Sequence, residues 1–175
     1  MDLVYNGIIS KKLWLEQIAN KFGDFKIAFS KKVNGQHFYY KHRSVIECSS
    51  DETLFYMFEQ CNHRQIQPYE IVIDLDDEDS IAGVDKICDL LDKYRETYFC
   101  FTTGSKGYHI HIIEKSFVKS IIDRQKVRIE LYRIIKKQTG FDIDLQKASD
   151  KVLIAMENTP HWKTGNKKKL YRKGE

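Results

Sequence analysis

The run Glu70-Ile-Val-Ile-Asp-Leu-Asp-Asp77 decides how this chain is read. Side chains of an extended strand alternate faces, so Ile71, Ile73 and Leu75 point one way and Val72, Asp74 and Asp76 the other. The apolar face anchors the strand in a core and leaves two like charges side by side at its end. Such a pair is costly unless a cation neutralises it, and hard divalent ions with oxygen ligands are the usual cation. Asp74 and Asp76 therefore read as ligands for Mg²⁺ or Mn²⁺, set against the plainer reading of a solvated turn before the next helix.

The stretch Thr102-Thr-Gly-Ser-Lys-Gly-Tyr-His-Ile-His111 carries the second signal. Two glycines around Ser-Lys permit a tight connection and a close approach of a ligand to backbone N–H groups. Thr103 and Ser105 offer hydroxyls and Lys106 a point charge, all suited to phosphate oxygens. The glycine spacing is not that of a Walker A loop. His109 and His111 share one face of the following strand; His109 reads as a phosphate donor, and His111 equally as a sheet residue bonded to a neighbour. Phe141-Asp-Ile-Asp-Leu145 repeats the two-residue carboxylate spacing with Asp142 and Asp144. If it forms a strand beside the first acidic one, three or four carboxylates converge, as two-metal catalysis requires.

Around these motifs the pattern is mixed. Ser10 to Phe22 reads as a helix, and Phe25 to Phe29 and His37 to Tyr40 as strands turning at Asn34-Gly35. A helix is expected over Glu52 to Cys61, and another opened by Ser80 with Val84, Ile87, Cys88 and Leu91 inward. Tyr98 to Thr102 and Tyr108 to Ile113 read as strands. A basic helix follows with Val127, Leu131, Ile134 and Ile135 on its core face, stopped by Gly140; Val152 to Met156 is a last short strand. From residue 70 onward the order strand, helix, hairpin, helix, strand resembles a split βαβ arrangement.

The 175 residues, 42% of them hydrophobic, suffice for one good core with a smaller module beside it. No apolar stretch reaches membrane-spanning length and Met1-Asp-Leu-Val is not a signal peptide, so an intracellular protein is expected. Cysteines 48, 61, 88 and 100 lack any Cys-x2-Cys element. Cys61 with His63 is only a partial zinc signal, and buried free thiols are the better reading. The net charge of +4 is unevenly spread. Residues 70–85 hold seven acidic and no basic side chains, while 115–137 hold eight basic against two acidic, and 161–175 six Lys or Arg against one Glu. An acidic focus beside basic surfaces suits a metal site that handles a polyanion. Tyr39, Tyr40 and the 161–173 segment with Trp162 are candidates for stacking on a template.

Together these motifs resemble the archaeo-eukaryotic primase superfamily, specifically the catalytic small subunit of primase. Four pieces carry the resemblance in order. They are Phe25-Lys-Ile-Ala-Phe29 with Tyr40-Lys-His-Arg-Ser44; Ile71-Val-Ile-Asp-Leu-Asp76; Thr103-Gly-Ser-Lys-Gly-Tyr-His109; and Phe141-Asp-Ile-Asp-Leu-Gln-Lys147 with His161-Trp-Lys-Thr-Gly165. The polymerase domains of bacterial end-joining ligases share the first two motifs of that family, without the closing His-x-Lys-Thr-Gly. The resemblance implies an α+β primase-like catalytic core, with an N-terminal α/β module over 1–66 packed on an RRM-like module over 67–175. It implies that Asp74, Asp76 and Asp142 hold two metals, and that Arg43, Thr103, Ser105, Lys106, His109, His161 and Lys163 bind the nucleotide. Single-stranded DNA, nucleoside triphosphates and a larger accessory subunit are the implied partners.

Departures from the family pattern are visible. Val152-Leu-Ile-Ala-Met156 lacks the usual basic residue, Phe25-Lys26 replaces Arg-Glu, and 26 residues between Asp76 and Thr103 leave no room for a zinc-binding insertion. A compact version is expected, with ten residues after Gly165. The expected activity is a DNA primase making primers by template-directed nucleotidyl transfer. Its rivals are a metal-dependent nuclease, which needs no triphosphate ligands, and a non-catalytic nucleic-acid-binding module.

Overall fold

Ser10 opens the first helix by accepting the N–H of Leu13 with its hydroxyl, and α1 (Lys11–Phe22) buries Trp14, Leu15, Ile18 and Ala19. The computed structural model describes residues 2–34, 36–76, 80–114 and 120–175, without the side chains of residues 31–33, 37–40 and 80. The expected turn at Asn34-Gly35 and the side chains of Tyr39 and Tyr40 thus lie partly or wholly outside the described residues, as does Asp77.

The chain divides into two units, residues 1–65 with 153–168 and residues 66–152 with 169–175. This differs from the expected division at 66/67, because the chain returns to the first unit late. In that unit β1 (Lys26–Val33) and β2 (Gln36–Ser44) form an antiparallel pair longer than the sequence suggested, running through the charged Lys31-Lys32. α2 (Val45–Ser50) comes first, and a 3-10 turn (Glu52–Leu54) and α3 (Tyr56–Gln60) then replace the single helix expected over 52–61. Ser44 caps the first of these early, and Asp51 accepts the N–H of Thr53, restarting the chain in a new direction. β3 (His63–Gln65) pairs with β1 and with β7 (Leu153–Ala155), giving the sheet order β2-β1-β3-β7.

The second unit begins with β4 (Glu70–Leu75), then α4 (Ser80–Lys93), β5 (Tyr98–Thr102), β6 (Tyr108–Ile113) and α5 (Ile121–Thr139). β8 (Lys169–Gly174) closes it, and the sheet order is β4-β6-β5-β8, antiparallel throughout. β6 sits between β4 and β5, and the closing strand adds beside β5. One core gathers Ile71, Ile73 and Leu75 with Val84, Ile87, Cys88 and Leu91 of α4, and with Ile110, Ile112, Tyr132 and Ile135.

β4 is an edge strand, and α5 blocks it. Arg128 donates to the carbonyls of Glu70 and Gln67, and the Tyr132 hydroxyl donates to the carbonyl of Val72 at 2.6 Å. Arg128 also reaches Ala148 O and, with Arg124, the carboxylate of Asp150. The inward stripe of α5 is therefore Arg124, Arg128, Tyr132 and Ile135. Val127 and Ile134, expected inside, are exposed: the helix is rotated so that two guanidinium groups can satisfy edge carbonyls. Gly140 ends α5 at φ +82°, donating its N–H to Lys136 O. Among the described residues no helix is long and apolar enough to cross a membrane.

Candidate active site

The face of β4 opposite its core carries Glu70, Val72 and Asp74. The ladder sets Asp74 directly across from His109 and Val72 across from His111. Nε2 of His109 is 3.2 Å from Oδ1 of Asp74, and Nδ1 of His111 is 2.8 Å from Oε2 of Glu70. His111 is thus the sheet residue bonded to a neighbour. The other oxygen of Asp74, Oδ2, lies 2.8 Å from Nζ of Lys147. Asp74 is only 8% exposed and Lys147 17%. Burial pushes the Asp74 carboxyl up, but His109 and Lys147 outweigh it and hold the group well below the usual carboxylate range. For Lys147 burial lowers the pKa and the charges of Asp74, Asp144 and Asp76 raise it, with a net rise.

Lys147 arrives on an element the sequence misread. Residues 141–144 form no ladder; Ile143 enters the core, and a 3-10 turn (Leu145–Ala148) follows. Asp144 caps this turn, accepting the N–H of Gln146 at 2.9 Å. The expected second acidic strand is replaced by a turn, because β4 already has its partner in β6 and its open edge is bonded by α5. Asp144 acts on Lys147 together with Asp74 and Asp76. Asp142 is 85% exposed and pairs with Lys136.

Gly107 explains the glycine after Lys106. A Cβ there would lie 2.5 Å from Leu75 O and 2.9 Å from Oδ1 of Asp76, so only glycine lets the loop close over the end of β4. Thr103 organises the same loop: its buried hydroxyl oxygen accepts the N–H groups of Gly107 (3.2 Å) and Ser105 (3.4 Å). Ser105 and Lys106 are exposed at its tip, and Asp76 is exposed beside it.

Arg43, His161 and Lys163 belong to the first unit. Arg43 pairs with Glu47 at 3.2 Å and donates to His42 O. His161 starts a tight turn in which its N–H bonds Asn166 O and its carbonyl accepts from Gly165. Its Nδ1 accepts the N–H of Lys163, which leaves the proton on Nε2. The stems of this loop are held by buried charges. Glu157 receives Arg64 (3.1 Å) and Lys168 (3.2 Å), and all three are essentially without solvent contact. Lys168 is therefore not part of a basic surface, and Arg172 is paired with Asp89 and Asp92 of α4. Cys61 and His63 do not form a zinc site. Cys61 is a buried free thiol, and Nδ1 of His63 meets Asn62 and Ser30.

Among the described residues no three His, Cys, Asp or Glu side chains are gathered closely enough to hold a metal ion as they stand. The donors nonetheless suit a hard cation, since Asp74 and Asp76 are oxygen ligands and an ammonium group already stands in for a cation at Asp74.

The fold is similar to that of solved primase and polymerase catalytic domains. The polymerase domain of Mycobacterium tuberculosis ligase D, solved in complex with DNA, matches with a TM-score of 0.59 at 13% identity, over 89% of this chain and 75% of that one. The catalytic domain of primase RepB′ in complex with initiator DNA matches with a TM-score of 0.51 at 13% identity, over 94% and 85%. A second structure of primase RepB′ matches with a TM-score of 0.52 at 13% identity, over 93% of this chain and 56% of that one. No family model matches the chain, and no curated protein matches it by sequence.

Proposed function

We propose that this chain is a DNA primase or primase-polymerase that extends a 3′-hydroxyl on single-stranded DNA with nucleoside triphosphates. The observation that carries the reading is the Asp74–His109 rung, a carboxylate beside an imidazole at the strand end where the Gly107 loop closes. The shared fold with DNA-bound polymerase and primase domains supports it.

The hydroxyl oxygen forms a bond to the α-phosphorus as the bond to pyrophosphate breaks, and the hydroxyl proton passes to solvent. Negative charge grows on the phosphoryl and leaving oxygens, so fixed donors aimed there are the main catalytic resource. Lys106 and the loop N–H groups would receive the triphosphate with His109. His161 would donate through Nε2, while Lys163 and Arg43 would add charge. Thr103 shapes the loop, and Ser105 offers a hydroxyl at its tip. Asp74, Asp76 and a carboxylate of the 142–144 segment would hold Mg²⁺ or Mn²⁺. Asp144 suits that third place better than Asp142, because it lies in the field around Lys147. The ion supplies charge neutralisation and a lowered hydroxyl pKa when bound.

The test is incorporation of labelled ribo- and deoxyribonucleoside triphosphates on single-stranded DNA with Mg²⁺ or Mn²⁺, with and without primer. The doubly substituted Asp74→Asn/Asp76→Asn protein is the control. Metal-dependent product absent from the control supports a polymerase, and primer-free product a primase. Cleavage of the DNA without incorporation would mark a nuclease, and DNA binding without either reaction a non-catalytic module.

A further inference from the structure

The two tryptophans of the chain have opposite surroundings. Trp14 is 1% exposed in the core and donates its indole N–H to Asp2 O. Trp162 is half-buried in the turn over residues 161–167, its ring centroid 5.7 Å from that of His161 and the two planes tilted by 37°. An indole left partly in water offers a flat apolar surface to a ligand that brings one of its own.

The turn is held by its own bonds. His161 donates its N–H to Asn166 O at 2.7 Å and accepts that of Gly165 at 2.9 Å, with Gly165 at φ +73°. Asn166 donates its N–H to the Thr164 hydroxyl, and a bridge between Pro160 and Lys167 closes the base of the turn. Below it, Asn158 and Thr159 are bonded to the backbone of Lys168, whose ammonium is buried on Glu157. A ligand meeting this turn therefore finds its groups already ordered.

Charge around the indole has one sign. Residues 158–167 hold no acidic side chain, and Lys163 and Lys167 are exposed. His161 accepts the Lys163 N–H on Nδ1, so its Nε2 carries a proton to donate. Lys168 and Arg172 are engaged with Glu157 and with α4, so residues 161–173 form no continuous basic track. Positive groups confined to one turn suit a triphosphate, which concentrates its charge, better than a strand, which carries one charge per nucleotide.

We propose that Trp162 is the base-stacking residue of the nucleotide site, so that this turn takes a nucleoside triphosphate by base and phosphates together. This rests on reading His161 and Lys163 as phosphate donors, as proposed above. The stacking face and the phosphate donors follow one another along a single ordered turn. The base adds affinity that bare phosphates cannot supply.

The experiment measures binding of ATP and of inorganic tripolyphosphate in Mg²⁺ buffer by isothermal titration calorimetry. Wild type, Trp162→Phe and Trp162→Leu are compared, with folding checked by circular dichroism. Tryptophan emission of wild type is followed in parallel, with Trp14 as a constant core background. The expected result is that ATP quenches the emission and tripolyphosphate does not. Trp162→Leu should weaken ATP about tenfold, Trp162→Phe much less, and neither should weaken tripolyphosphate. Equal ATP affinity in wild type and Trp162→Leu would overturn the inference and leave the nucleotide reading standing. Equal losses for ATP and tripolyphosphate would overturn it too, marking Trp162 as a support of the turn. Quenching by oligothymidylate and not by ATP would make the residue a strand contact instead. No binding of ATP by wild type would overturn the nucleotide reading and this inference with it. If Trp162→Leu does not fold, the wild-type emission decides.

Discussion

Glu70 and His111 form a fully buried pair, 2.8 Å between Oε2 and Nδ1, on the sheet face that carries Asp74 and His109. The other oxygen of Glu70 accepts the N–H of Gln67 at 2.7 Å. Replacing the residue with alanine leaves both partners buried without it and should cost about 3–5 kcal/mol. Glu70→Gln keeps an oxygen for Gln67 and an amide for the imidazole, and should cost about 1–2 kcal/mol. Urea denaturation of both variants checks the order; equal losses would show that the carboxylate serves only as packing.

Glu157 faces two buried cations, Arg64 and Lys168, so the cluster carries one positive charge in excess if all three are ionised. Glu157→Ala should therefore be severe, about 3–5 kcal/mol, because it strands both cations. Lys168→Met removes the surplus charge while keeping bulk, and should cost clearly less. A larger loss for Lys168→Met than for Glu157→Ala in thermal melts would contradict this balance.

Gly107→Ala forces a methyl against Leu75 O and Oδ1 of Asp76. The backbone oxygen has little room to yield, so a loss of about 1–3 kcal/mol is expected. Asp76 must also shift, so Mn²⁺ binding should weaken together with stability. Unchanged stability and unchanged Mn²⁺ binding would show that the loop tolerates a side chain there.

Burial pushes the thiols of Cys48 and Cys61 up, each to about 11. An unfolded cysteine ionises near 8.5, so between about pH 8.5 and 11 the unfolded chain releases these protons first. The stability they contribute is full below that window and is lost as pH rises through it. Melting temperatures should fall over this range, and in a folded Cys88→Ala/Cys100→Ala background, which removes the thiol held low at Cys88 by its hydrogen bond with Cys100, thiolate absorbance near 240 nm should lag behind that of the denatured protein. Thiolate near pH 8.5 in that folded background would refute the assignment.

The alternation of residues 70–76 was enough to place the core face of β4 and to set Asp74 and His109 on matching faces of their strands, because strand periodicity is local. Partners were harder. Asp142 and Asp144 show the same alternation, yet join no ladder among the described residues, since nothing local reveals that the edge of β4 is already taken by Arg128 and Tyr132. The basic character of α5 pointed outward to a polyanion, while Arg124 and Arg128 turn inward; an arginine's destination depends on carbonyls far away in sequence. Lys147 closes the quoted Phe141–Lys147 motif, but its pairing with Asp74 was not legible, because it exists only where the turn over residues 145–148 meets that carboxylate.

The late return of residues 153–168 has a practical corollary. The backbone passes between the two units three times, after Gln65, after Val152 and after Lys168. No single proteolytic cut can release either unit as one continuous piece. A recombinant fragment spanning 66–152 would lack β8 and leave the backbone of β5 as a bare template for a neighbouring molecule. Domain dissection of this protein thus calls for two-piece reconstitution or circular permutation, and simple truncation should yield aggregates.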